Sequence, residues 1–213
     1  PGQNREAWQA DLETALALTP EHLSCYLLTI EPDTPLGRAR NAGQVRPLAE
    51  GAAAALFDFT HTFLASRGMP PYELSNFAAA PGLRSRHNLK YWTLSPYRGF
   101  GPGAHSFEAP ARWWNRARLQ GYLTALTAGR PPEGGREVLS PAQQMLEAVF
   151  LGLRLTEGFG LEAFEKRFGR RFGEVFGAAA AALTGEGLLE VAGGRCRLTP
   201  QGRRFHDGVS ARL

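Results

Sequence analysis

His22-Leu-Ser-Cys-Tyr-Leu-Leu-Thr-Ile30 is the stretch on which the fold turns. It is short and mostly apolar, the pattern of a strand buried on both faces, as in a parallel sheet. Upstream, Asn4 is a good helix N-cap, and Trp8, Leu12, Ala15 and Leu16 fall on one helical face. That helix covers 4–18 and stops at Thr19-Pro20, where proline and its restricted predecessor oppose further winding. Downstream, Glu31-Pro-Asp-Thr-Pro-Leu-Gly37 is a turn-rich exit. A second helix is predicted from Pro47 to Arg67, with Leu48, Ala52, Leu56, Phe59, Phe63 and Leu64 as its apolar stripe and Gly68 closing it. Another short strand is predicted over 71–76. Helix, strand, helix, strand is the alternation of a parallel sheet or barrel. Two strands cannot close a barrel, and a chain opening on the turn Pro1-Gly2-Gln3 reads as the continuation of something longer. The expectation is the tail of a barrel.

Further along, 81–107 is rich in Gly, Pro, Ser and aromatics. A strand is predicted over 112–115 and a helix over 119–128. Gly129-Arg-Pro-Pro-Glu-Gly-Gly135 reads as the linker. Beyond it helices are predicted at 141–152, 159–168 and 172–184, then strands 187–191 and 195–198 joined by Gly193-Gly194, a hairpin signal. A last helix follows Thr199-Pro200. Three helices plus a hairpin outline a winged helix.

Composition excludes several classes of function. Of 213 residues, 43% are apolar and 21% charged, an ordinary globular balance that rules out disorder and fibrous repeats. No apolar run approaches the roughly 20 residues of a membrane span. Two cysteines, Cys25 and Cys196, make neither a disulfide framework nor a CxxC box, and suggest a reducing cytoplasm. The net charge of +4 is too mild to imply nucleic acid. The five histidines show no HxxxH or HExxH spacing for zinc.

Three segments could carry chemistry. In His87-Asn-Leu-Lys-Tyr-Trp92 an imidazole and a carboxamide precede two large aromatics. Such a set can ligate iron and cover a flat ligand, or it can be core aromatics beside a satisfied structural histidine. In Gly99-Phe-Gly-Pro-Gly-Ala-His-Ser-Phe107 three alternating glycines allow close backbone approach to a ligand, or a tight packing turn. It is neither a Rossmann fingerprint nor a GxSxG elbow around Ser106. Tyr72-Glu73-Leu-Ser-Asn76-Phe77 offers one carboxylate and one amide at a strand end, where Glu73 could equally be solvated or ion-paired.

Taken in order, LTIEPDTPLGR, YELSNFA, SRHNLKYW, GFGPGAHSF and RWWN resemble the HemW haem chaperones. These are relatives of the oxygen-independent coproporphyrinogen III oxidases within the radical SAM superfamily. LGLRLTEGFG and LTPQGRRF also fit that family's small appended domain, so the resemblance spans nearly the whole chain. It implies an α/β fold, α+β overall: the C-terminal remnant of a partial (β/α)6 radical SAM barrel (1–128), a linker (129–135) and a winged-helix-like domain (136–213). It implies haem binding at His87, Asn88, Tyr91 and Trp92. It also implies that Gly101, Gly103, His105 and Ser106, with Glu73 and Asn76, border the S-adenosylmethionine and substrate pocket. His105, where the oxidases tend to be apolar, favours the chaperone branch.

The family holds its [4Fe-4S] cluster with an upstream CxxxCxxC loop, and this chain begins after that region. The cluster and S-adenosylmethionine are therefore expected of the longer parent only, and this chain alone should not cleave S-adenosylmethionine. The implied function is delivery of haem, or a porphyrin, to respiratory haem proteins, from the cytoplasm or the membrane periphery. The competing enzyme reading is coproporphyrinogen III oxidation in porphyrin biosynthesis. A nucleic-acid reading of 136–213 has little to work with, because Arg167, Arg170 and Arg171 are matched by Glu162, Glu165 and Glu174.

Overall fold

The computed structural model describes residues 1–213, which divide into two compact units, Pro1–Arg84 and Ser85–Leu213. In the first, α1 (Arg5–Ala17) starts at Asn4, whose side chain accepts the Ala7 N–H at 2.9 Å. Strand β1 (His22–Ser24) follows, then the short α2 (Pro35–Asn41), α3 (Glu50–Ser66) and β2 (Asn76–Ala78). Leu12, Leu64, Met69 and Phe77 form the buried core, with Trp8, Leu16 and Leu23 packed on it. The Trp8 indole donates to Thr60 Oγ1 at 2.8 Å and pins α1 to α3.

The deciding stretch behaves differently from expectation. Only His22–Ser24 is strand, and it pairs antiparallel with β2, His22 opposite Ala78, rather than in a parallel sheet. Tyr26, Leu27 and Leu28 are 69%, 51% and 61% exposed. Apolar sequence alone does not make a strand, since the backbone groups need a neighbour. Within this unit β2 reaches Ser24, the Ser75 carbonyl accepts the Cys25 N–H at 2.8 Å, and the pairing ends there. The strand predicted over 71–76 is likewise mostly turn, because the chain folds back so that Tyr72 N–H donates to the Asn76 carbonyl at 3.1 Å. Helix α2 was missed at sequence level although Thr34 caps it, accepting the Gly37 N–H, and Pro35 opens it.

The second unit opens with α4 (Arg86–Trp92), followed by β3 (His105–Glu108), β4 (Ala111–Asn115), α5 (Leu119–Thr127) and β5 (Glu133–Val138). Strands β3, β4 and β5 form an antiparallel sheet in that order. The second half of the stretch read as linker, 133–135, is thus strand. Its glycines serve close approach rather than looseness: a Cβ on Gly135 would stand within 2.3 Å of the Trp114 ring. Arg112 on β4 ties the sheet together, donating at 2.7 Å to both Glu137 on β5 and Glu147.

Glu147 lies on α6 (Pro141–Gly152), which begins with a capping box between Ser140 and Gln143. Then come β6 (Phe159–Gly160), α7 (Leu161–Phe168), α8 (Phe172–Gly185), β7 (Leu189–Ala192), β8 (Arg195–Leu198), α9 (Pro200–Arg203) and α10 (His206–Ser210). The strand order β6-β8-β7 after and between three helices is winged-helix-like, and the β7–β8 turn is Gly193-Gly194, both at positive φ. Val149, Phe164, Phe172, Phe176, Leu183 and Leu189 are the heart of its core, with Phe159, Leu161, Phe168 and Leu188 packed against it.

Candidate functional site

The aromatic segment is helical. Ser85 caps α4 by accepting the Asn88 N–H at 3.2 Å, and one turn of helix then brings His87 beside Tyr91. Their rings meet edge to face with centroids 5.0 Å apart, and Tyr91 Oη lies 3.1 Å from His87 Nε2. Tyr91 also packs edge-on against Tyr97 at 4.7 Å, and burial, with Tyr91 and Glu147 nearby, pushes the Tyr97 phenol up. Asn88 and Trp92 share the adjoining stripe of α4, both half-buried. The Arg154 guanidinium sits 4.2 Å from the Trp92 ring, a cation–π contact that sequence inspection did not single out.

His87 is exposed, as is His105. The other three imidazoles bond to groups distant in sequence, whereas His87 meets only Tyr91 on its own helix. His22 Nε2 lies 2.9 Å from Tyr72 Oη, His61 Nε2 donates to the Leu74 carbonyl at 3.0 Å, and His206 Nε2 donates to the Phe150 carbonyl at 2.8 Å.

The glycine-rich loop is a built turn. Gly101 and Gly103 have φ of 99° and 70°, Gly101 N–H donates to Tyr122 Oη at 3.2 Å, and the Gly101 carbonyl accepts from Asn115 Nδ2 at 2.9 Å. Ser106 is buried and its Oγ accepts the Gly99 N–H at 2.9 Å, so the hydroxyl fastens the loop. His105 begins β3 with its ring stacked on Trp114, centroids 5.7 Å apart. Glu73 and Asn76 lie in the other compact unit. Fully buried Glu73 accepts the Ser75 N–H at 3.0 Å and the Asn76 side-chain amide, while Asn76 Oδ1 accepts from Ser24 Oγ at 2.5 Å. Together they hold the turn after Tyr72.

The cysteines do not suit an iron–sulfur cluster. They are two, in separate units, and burial pushes Cys25 up to about 11 and Cys196 to about 12, against the thiolate that iron requires. No group of three His, Cys, Asp or Glu side chains comes together as a metal site. No helix is long and apolar enough to cross a membrane.

Comparison with known proteins adds to this geometry. Residues 139–205 match the HemN C-terminal domain family. The chain is 31% identical over 209 residues to the haem chaperone HemW of Bacillus subtilis, covering 98% of this chain and 55% of that protein. It is 34% identical over 209 residues to HemW of Lactococcus lactis, covering 98% and 54%. The chain thus spans about half the length of the curated relatives it matches. In fold it superposes over its whole length on 52% of coproporphyrinogen III oxidase (HemN) from Escherichia coli, a radical SAM enzyme, with a TM-score of 0.76 and 16% identity.

Proposed function

Since the chain belongs to the family of HemW haem chaperones and carries a HemN C-terminal domain, we propose that it is a haem-holding portion of such a chaperone, with haem as its cargo. One observation carries this reading: α4 presents an exposed imidazole, His87, with Tyr91 touching it and Trp92 on the next stripe. A neutral imidazole is a common axial ligand to haem iron, and flat rings beside it can cover a porphyrin face. Asn88 adds a carboxamide to the same helix turn. His105 is the next candidate, stacked on Trp114.

In this reading 1–128 belongs to the barrel portion and 136–213 to the appended domain, and the stretch 129–135 between them runs into β5, which pairs with β4. The [4Fe-4S] cluster and S-adenosylmethionine belong to the longer protein, and no step here passes through them. Gly101, Gly103 and Ser106 shape a loop of the second unit, and Glu73 with Asn76 hold a turn of the first. Delivery to respiratory haem proteins, in the cytoplasm or at the membrane periphery, completes the proposal. The third winged-helix element, α8, turns Phe172, Phe176 and Leu183 inward and leaves Gly173, Ala178 and Ala181 outside, so it offers little to base edges. The oxidase reading draws only on likeness of fold at 16% identity, whereas the chaperones named above match at 31% and 34%.

Haem titration of His87→Ala beside His105→Ala and His61→Ala tests the assignment. His87→Ala should weaken binding and shift the Soret band, with His61→Ala unchanged. Loss in His105→Ala alone moves the ligand to the glycine-rich loop. No change in any variant, or no binding by the parent chain, removes the reading.

A further inference from the structure

Within the Ser85–Leu213 unit, a cleft of about 300 Å3 lies between the end of α4, α6, β6 and α7. That volume is at the lower end of the roughly 300–1,000 Å3 typical of small-molecule sites. Its walls are apolar and mostly flat: Trp92, Leu94, Phe159, Phe164 and Phe168. Two guanidiniums line it as well, Arg167 and Arg195.

At close range these arginines are held by backbone carbonyls, and Arg195 adds a long ion pair to Glu157. Arg195 donates to the Glu157 and Gly158 carbonyls at 2.8 and 3.0 Å, and Arg167 reaches the Thr93 and Leu94 carbonyls at 3.4 Å. Carbonyls position a guanidinium without cancelling its charge. The acidic side chain lining the cleft is Glu157, 4.0 Å from Arg195 and largely in solvent. The indole N–H of Trp92 is shielded from solvent and meets no acceptor in the protein. An unmet donor in such a place is costly.

A flat apolar slot with two positioned guanidiniums complements one kind of molecule, a flat apolar body bearing a carboxylate on its edge. We propose that this cleft binds such a carboxylate edge, with Arg167 and Arg195 as anchors and Trp92 as a wall. The propionate edge of haem has this chemistry, and that identification rests on the haem reading above; a free aromatic carboxylate has it too.

The test titrates the whole chain with 1-pyrenebutyrate and with its uncharged methyl ester, followed by fluorescence. The parent should prefer the acid at least tenfold. Arg167→Gln and Arg195→Gln should each lose most of that preference with the ester unaffected, and Arg167→Lys should keep it. Because Arg195 also braces the 157–158 turn, Ala163→Phe is included to fill the cleft without touching a charge, and it should abolish binding of both probes. Equal affinity for acid and ester, no binding of the acid, or a preference that survives both Gln variants overturns the proposal whatever haem does. Displacement of the acid by haem assigns the cleft to the propionates. Acid binding of the expected pattern without haem displacement assigns it to a free carboxylate, and if haem also fails to bind anywhere, the cleft stands while the haem reading falls.

Discussion

Tyr91 Oη lies 3.1 Å from His87 Nε2, one turn apart on α4. The hydroxyl therefore restrains which way the imidazole faces, and the ring beneath it is itself braced by Tyr97 at 4.7 Å. Removing the hydroxyl while keeping the ring separates orientation from packing. Tyr91→Phe should weaken haem binding several-fold, less than His87→Ala does, and leave unfolding within about 0.5 kcal/mol of the parent, as expected for an exposed pair. Parallel haem titrations and urea melts check both parts.

Ser106 fixes the glycine-rich loop through one bond, accepting the Gly99 N–H. Ser106→Ala leaves that donor without its acceptor in a buried place and should cost roughly 1–3 kcal/mol in urea unfolding. Gly99→Ala should cost more, because its Cβ would stand 2.1 Å from the His105 carbonyl oxygen and the turn must open. A Gly99→Ala protein as stable as Ser106→Ala would contradict this.

Arg112 bridges β5 and α6 through Glu137 and Glu147, each at 2.7 Å with half-shielded side chains. Glu137 comes first in holding its guanidinium charged. Arg112→Met should destabilise the second unit by roughly 1–2 kcal/mol, between the ~0.2–1 of exposed pairs and the ~3–5 of a buried pair broken on one side. A double-mutant cycle with Glu147→Gln should show positive coupling, and additive losses would contradict the bridge.

Burial raises Cys25 from an ordinary 9.0 to about 11 and Cys196 from 9.0 to about 12. In the folded chain both thiols keep their protons to higher pH than in the unfolded chain. Their contribution to stability is therefore whole below pH 9 and is lost as pH rises through 9 towards 11 and 12. At pH 8.5 iodoacetamide should label Cys25 more slowly than free cysteine, and Cys196 slowest of all, with urea restoring both rates. Fast labelling of Cys196 in the native protein would show that its thiol is not held in the core.

Much of the candidate site was legible one residue at a time. His87 and His105 stood out as the histidines beside aromatics and glycines, and both are the exposed ones. The HNxxYW spacing already contained the i, i+4 contact of His87 with Tyr91, but the helix went unread because only Ser85 marks its start. Arg154 and Arg195 gave no sign of their roles, for each acts on a partner distant in sequence: the Trp92 ring and the carbonyls at 157–158. In sequence Arg167 reads only as one cation matched by neighbouring glutamates, and in the fold it lines the cleft.

The sequence by itself determined helices α1, α5, α6 and α8 with their ends, the Gly193-Gly194 hairpin, and the family motifs in order. Those depend on contacts three or four residues apart, such as Asn4 with Ala7 or Ser140 with Gln143, so the local chain contains both partners. Tertiary structure alone decided that 25–30 does not continue as strand, that Gly134-Gly135 is strand and not linker, and that buried Glu73 braces a turn. Strand identity depends on a neighbour: Ser24 meets Asn76 fifty-two residues away, and nothing near Leu27 in sequence says whether such a partner arrives. The cleft beside Trp92 is of the same kind, assembled from three separate stretches, 92–94, 148–168 and 195, whose apolar and basic residues each look like ordinary core or surface until they are folded together.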